Sequence, residues 1–116
     1  MRVNHTAFEH PRDRFAPVLR AEELDDGGMR VVELEGEAVL VARCADGEVC
    51  AISNVCSHMG GPLGDGEREG DSVICPWHGS RFDLRTGGVE DGPAVFPQPR
   101  YETRLRAGKV EIRRRA

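Results

Sequence analysis

The sequence predicts an all-β fold of short strands and tight turns, on three observations. Fourteen glycines and seven prolines in 116 residues supply the turns. β-Branched and other apolar residues fall in short runs between them, as strands require. Asp46-Gly47, set between two such runs, is a strong two-residue hairpin signal. The length fits one domain, and 39 % hydrophobic with 5 % aromatic content permits only a modest core. A bound group would therefore add to stability as well as to function.

Residues 1–14 are polar and charged, with Pro11 among them, and read as an arm ahead of a domain over 15–114. Its His5 and His10 are expected to face solvent. Phe15-Ala16-Pro17-Val18-Leu19 reads as an edge strand, because Pro17 has no N–H for a ladder hydrogen bond. Ala21-Glu22-Glu23-Leu24 fits one helical turn, and Asp26-Gly27-Gly28 bends the chain into a strand from Arg30 to Leu34. Gly36-Glu37 is expected to turn it into the nearly continuous apolar run Ala38 to Cys44, a buried strand. After Asp46-Gly47, the run Glu48 to Ser53 pairs back on its predecessor. That hairpin brings Cys44 and Cys50 near one another; they read as small buried hydrophobes, or as a redox switch or extra ligand. A polar link over 64–71 leads to the strand Ser72-Val73-Ile74. Arg81 to Leu84 reads as another strand, closed by Thr86-Gly87-Gly88. Residues 92–99, with three prolines, must be extended. Tyr101 to Arg106, the turn Ala107-Gly108 and Lys109 to Arg113 form a closing hairpin.

Two stretches carry chemistry: Cys56-Ser57-His58 and Cys75-Pro76-Trp77-His78, with sixteen residues between His58 and Cys75. Each pairs a thiolate donor with an imidazole donor at the end of a strand. Sulfur with nitrogen suits zinc or an iron–sulfur centre and disfavours calcium or magnesium. On ligand count alone a closed zinc site that staples the loops is an alternative. Cys-x-His is tighter, however, than the roughly two to four residues usual between a zinc site's first ligands.

The flanks Met59-Gly60-Gly61-Pro62-Leu63 and Gly79-Ser80-Arg81-Phe82-Asp83 narrow the choice. With them, residues 15 to 114 resemble the Rieske [2Fe–2S] family, whose pattern is Cys-x-His, an interval of similar length, then Cys-x-x-His. The resemblance implies an antiparallel β-sandwich with a small cluster-binding subdomain formed by two loops. It implies one [2Fe–2S] cluster per chain, with Cys56 and Cys75 on one iron and His58 and His78 on the other. Gly60, Gly61 and Gly79 would leave backbone N–H groups free to bond sulfide. Met59, Pro62, Leu63 and Pro97 would supply an apolar apron, and Trp77 a lid or a docking anchor.

By the same resemblance the chain is an electron-transfer component and not itself an enzyme. It would pass electrons from a flavoprotein, NAD(P)H-dependent ferredoxin reductase to a terminal oxygenase. The 38 residues after His78 leave no room for a two-histidine, one-carboxylate iron domain. The small subunit of an assimilatory nitrite reductase-type complex and a zinc-stapled interaction module are the alternatives.

The net charge of −4 is unevenly spread, with thirteen acids and three bases over 22–71. That balance argues against a nucleic-acid partner and makes the acidic segment a candidate for a basic protein surface. No apolar run approaches the ~20 residues of a membrane span, and residues 1–6 lack the apolar core of a secretory signal. A cytoplasmic protein is expected, with Cys44 and Cys50 as free thiols.

The resemblance also bears on redox potential. High-potential members of the family carry a disulfide between the two loops and hydroxyl donors from a serine and a tyrosine. The matching bridge positions here are Gly61 and Trp77; Ser80 keeps one hydroxyl, but Phe82 lacks the other. Donors to sulfur favour the more negative, reduced state, so their loss lowers the potential. Redox titration should place the midpoint in the lower part of the family range of about −150 to +300 mV; a value above about +200 mV would contradict this reading.

Overall fold

Val39-Leu40-Val41-Ala42 contains no polar residue, and the strand that holds it is buried on both faces. A computed structural model describes residues 14–115; residues 1–13, with most of the expected arm and its His5 and His10, lie outside them. The described residues form ten strands in two antiparallel sheets. The larger has the order β1 (Ala16–Arg20), β10 (Lys109–Arg114), β9 (Arg100–Arg106), β4 (Val49–Ser53), β3 (Glu37–Arg43) and β2 (Met29–Leu34). The smaller runs β5 (Glu67–Glu69), β6 (Ser72–Ile74), β7 (Arg81–Asp83) and β8 (Val89–Asp91).

Alternation along β3 explains the two cores. Val39 and Val41 join Leu34, Val110 and Ile112 on one side of the large sheet. Leu40 and Ala42 join Ile52, Leu63, Val73, Phe82 and Leu84 on the other. The second core lies between the sheets and includes both Cys56 and Cys75. Burying each such aliphatic side chain contributes about 1.5–3 kcal/mol, so this layer anchors the small sheet firmly. Arg68 adds a polar clasp, donating to the carbonyls of Gly28 at 3.0 Å and Arg43 at 2.7 Å.

The all-β class is as expected, and Pro17 does lie in an edge strand, at a register shift in the pairing with β10. The expected helical turn is a short 3₁₀ segment, Ala21–Glu23, closed by the Arg20 N–H donating to Glu23 Oε1 at 2.8 Å. Two details differ. The β2–β3 turn is Glu35-Gly36, both left-handed, and Glu37 already belongs to β3. The cluster-binding subdomain is more than two loops: it has a four-stranded sheet of its own, and β5 forms from part of the stretch read as a polar link.

The β9–β10 hairpin turns at Ala107 (φ 52°) and Gly108 (φ 77°), a two-residue turn with both residues left-handed. A Cβ-bearing alanine is strained there by about 1–2 kcal/mol, whereas asparagine tolerates the conformation. Ala107→Asn should raise the melting temperature by a few degrees in a thermal scan; an unchanged or lowered value would contradict the strain.

Candidate metal centre

The two motif loops are built on one backbone plan. In the first, the Cys56 N–H donates to the Gly61 carbonyl at 2.9 Å and the Gly60 N–H to the Cys56 carbonyl at 2.8 Å. In the second, the Cys75 N–H donates to Ser80 O at 2.8 Å and the Gly79 N–H to Cys75 O at 3.0 Å. Each loop closes five residues after its cysteine, and the fourth is a glycine at φ 83° or 80°. A left-handed residue is needed to bring the chain back so quickly, and glycine adopts it without strain. β6 and β7 carry the second loop directly; an isolated bridge between Val55 and Pro62 flanks the first.

This plan sorts the four donors. Both cysteines open their loops at the floor and are buried in the same core cluster. Burial pushes the Cys56 thiol up; the backbone N–H groups of His58 and Met59, aimed at its sulfur, oppose that rise. The histidines stand at the loop tips, His58 half-buried and His78 exposed. Their rings meet edge to face, with centroids 5.1 Å apart. Among the described residues, no three His, Cys, Asp or Glu side chains gather as a site for one metal ion. The predicted ligands fall instead into two pairs, sulfur with sulfur and imidazole with imidazole.

Residues 92–99 form a third loop that braces the other two. Gln98, buried between Pro97 and Pro99, accepts from the Ser57 N–H at 2.7 Å through Oε1. Its Nε2 donates to the carbonyls of Ser53 and Val55, both at 2.8 Å. Ser57 Oγ donates to Phe96 O at 2.6 Å. On the other side, Ser80 Oγ accepts from the Ala94 N–H at 3.0 Å, which leaves the Ser80 hydroxyl proton available to a sulfur acceptor. Sequence reasoning missed Gln98; a lone amide inside a proline run was its one signal.

Gly61 stands where the loops touch. A Cβ there would lie 2.7 Å from Cys75 Sγ and 3.0 Å from Trp77 Cγ, so the indole packs on the first loop where a bridging disulfide would otherwise sit. Gly60 and Gly79, expected to offer free N–H groups, use theirs to close the turns. Leu63, expected in the apron, is a core residue. Met59 is exposed as expected (61 %), and Val55 (51 %), Trp77 (56 %), Val95 (77 %) and Phe96 (68 %) are exposed on the same three stretches.

Residues 14–102 match the family model for the Rieske [2Fe–2S] domain. The chain belongs to the Rieske [2Fe–2S] domain family. A Rieske domain carries one [2Fe–2S] cluster, and the donor set here fits one: two thiols buried in one core cluster, paired imidazoles toward the surface, and backbone N–H groups directed at sulfur. Apoptosis-inducing factor 3 of Mus musculus is 37 % identical over 98 residues, 84 % of this chain and 16 % of that protein. The chain thus spans about a sixth of the first curated relatives it matches. The 3-phenylpropionate/cinnamic acid dioxygenase ferredoxin subunit of Photorhabdus laumondii is 35 % identical over 96 residues, 82 % of this chain and 90 % of that one. The solved complex of reduced oxygenase and oxidised ferredoxin in carbazole 1,9a-dioxygenase contains a chain with a TM-score of 0.81 and 27 % identity; the match covers 88 % of this chain and 96 % of that one.

The brace at Gln98 can be tested. Gln98→Leu removes the hydrogen-bond partners of one N–H and two carbonyls, at about 1–3 kcal/mol for each group left unsatisfied. The variant should lose cluster absorbance several-fold faster than wild type in the presence of a chelator. Equal rates of loss would show that the third loop does not hold the first.

Proposed function

We propose that this Rieske domain is a one-electron carrier of a multicomponent oxygenase system, with Cys56 and Cys75 on one iron and His58 and His78 on the other. When bound, the cluster supplies a one-electron centre whose formal charge is two units less negative than an all-thiolate one. The protein's part is to hold the sulfur side away from water and the imidazole side against it. The N–H groups of His58 and Met59 place donors toward sulfur, where negative charge builds on reduction. The two imidazoles offer a route out of the fold, since His58 is half-buried and His78 reaches solvent.

The observation that carries this reading is the surface around those imidazoles. Residues 53–64, 72–80 and 92–99 contain no Asp, Glu, Lys or Arg, and they expose Met59, Trp77, Val95 and Phe96. An uncharged apolar tip with two aromatic anchors suits repeated, brief docking to partner proteins. The acidic 22–71 segment is a weaker docking candidate, because Glu37, Asp46, Glu69 and Asp71 are already paired with Arg114, Arg85, Arg81 and Arg68. The match to nearly the whole length of a dioxygenase ferredoxin subunit supports a terminal oxygenase as acceptor. A flavoprotein reductase as donor belongs to the same proposal. No helix among the described residues is long and apolar enough to cross a membrane.

The test is electron transfer between separate proteins. The loaded chain should accept electrons from a flavoprotein ferredoxin reductase with NAD(P)H and support turnover by a terminal oxygenase. Trp77→Ala and Phe96→Ala should each lower the second-order transfer rate roughly tenfold, the value of one interface anchor, with the visible spectrum of the cluster unchanged. Failure to accept electrons from any such reductase would defeat the carrier reading; wild-type rates in both variants would move the docking face elsewhere.

A further inference from the structure

Cys44 and Cys50 lie outside the metal centre and take no part in the proposed electron path. Cys50 sits in β4 opposite Ala42 of β3, and Cys44 follows two residues after Ala42 on the same face. Their sulfur atoms are 3.0 Å apart, with the Cys44 S–H donating to Cys50 Sγ. The two differ sharply in access. Cys44 is 2 % exposed, whereas Cys50 is half-buried and lines a cavity of about 350 Å³. Arg85, Arg100 and Arg115 line the same cavity, with Glu102 the one acid among the described residues that line it. Glu102 is held by Arg113 at 2.7 Å, and Arg85 by Asp46 at 2.7 Å. Phe15 also lines the cavity. Cys50 is thus a half-open thiol with a second thiol behind it and a cavity lined by arginines in front.

We propose that Cys50 and Cys44 are a nucleophilic and resolving pair for thiol–disulfide exchange, and that the cavity receives a low-molecular-weight disulfide bearing carboxylates. Cys50 loses its proton to solvent, and its thiolate attacks one sulfur of the bound disulfide. A bond forms between Cys50 Sγ and that sulfur, and the other half leaves as a thiolate. Cys44 then attacks Cys50 Sγ from behind, closes the Cys44–Cys50 bond, and expels the second half, which takes up the Cys44 proton. Two protein thiols are oxidised and one small disulfide is reduced to two thiols; no other oxidant is needed. The roles follow from access and from the direction of the S–H bond. Burial raises both thiols, Cys44 to about 12, but the Cys44 S–H and the charge of Arg85 favour the Cys50 thiolate, against Asp46 and Asp71. A cavity of this size suits a small peptide-like ligand, and its arginines suit carboxylates.

Glutathione disulfide is the probe, with 2-hydroxyethyl disulfide as its uncharged counterpart, both applied to the cluster-loaded protein and followed by peptide mapping in a mass spectrometer. Wild type should acquire a Cys44–Cys50 bond, with two glutathiones released per chain. Cys44→Ser should stop with one glutathione on Cys50, and Cys50→Ser should react at Cys44 at least roughly tenfold more slowly. Arg100→Gln with Arg115→Gln should slow the reaction with glutathione disulfide roughly tenfold and leave the uncharged probe unaffected. Absence of the Cys44–Cys50 bond in wild type overturns the pair, as does glutathione found on Cys56, Cys75 or preferentially on Cys44. Equal effects of the arginine changes on both probes overturn the anionic ligand. The wild-type map decides the pair even if a serine variant fails to fold.

Discussion

Everything about this centre depends on a short backbone closure used twice. A cysteine N–H bonded to the carbonyl five residues on, with glycine fourth in a left-handed turn, forces each loop to fold back on itself. The cysteine is thereby held at the base, inside the layer between the sheets, while the tip must project. The histidine is the second residue after its cysteine in one loop and the third in the other. That one-residue offset accompanies facing imidazoles, their centroids 5.1 Å apart. Polarity across the site, sulfur within and nitrogen outward, is thus a property of the turns before any metal is considered.

Two short loops cannot hold such geometry unaided, and the molecule supplies support at two levels. Below them, Phe82 and Val73 are register partners in the small sheet and are wholly buried against Leu40 and Ile52 of the large one. Beside them, the third loop makes hydrogen bonds to both, through Gln98 and Ser57 on one side and Ala94 and Ser80 on the other. Buried amides of this kind act chiefly by being satisfied: Gln98 uses both ends of its side chain, so any displacement of the third loop strands three polar groups at once. Function and stability share this support, since the side chains that fix the thiols also join the two sheets.

Much of this was legible in the sequence, for identifiable reasons. The continuous apolar run of β3 announced burial on both faces, and Pro17 announced an edge. The Cys-x-His and Cys-x-x-His pairs, proposed as the cluster ligands, stand out because their residue types and spacing serve few other purposes. What escaped notice depends on distant partners. β5 and β8 are three residues each, and residues such as Glu67-Arg68-Glu69 carry no strand signal until β6 provides a ladder. Gln98 bonds residues 41 to 45 positions away, and nothing local marks it except its isolation between prolines. Gly60 and Gly79 are visible as glycines, but only the folded loop shows that their N–H groups are already engaged. Val95 and Phe96 carry no signal, because an extended, proline-rich segment gives no period from which to tell an inward side chain from an outward one.

The central claim is that the two imidazoles, and not the thiols, hold the outer iron. The direct measurement is pulsed electron paramagnetic resonance of the reduced protein grown with ¹⁵N-labelled histidine. The account requires hyperfine coupling to two histidine nitrogens, with one coupling lost in each of His58→Cys and His78→Cys. A reduced centre coupled to one histidine nitrogen or to none would contradict it.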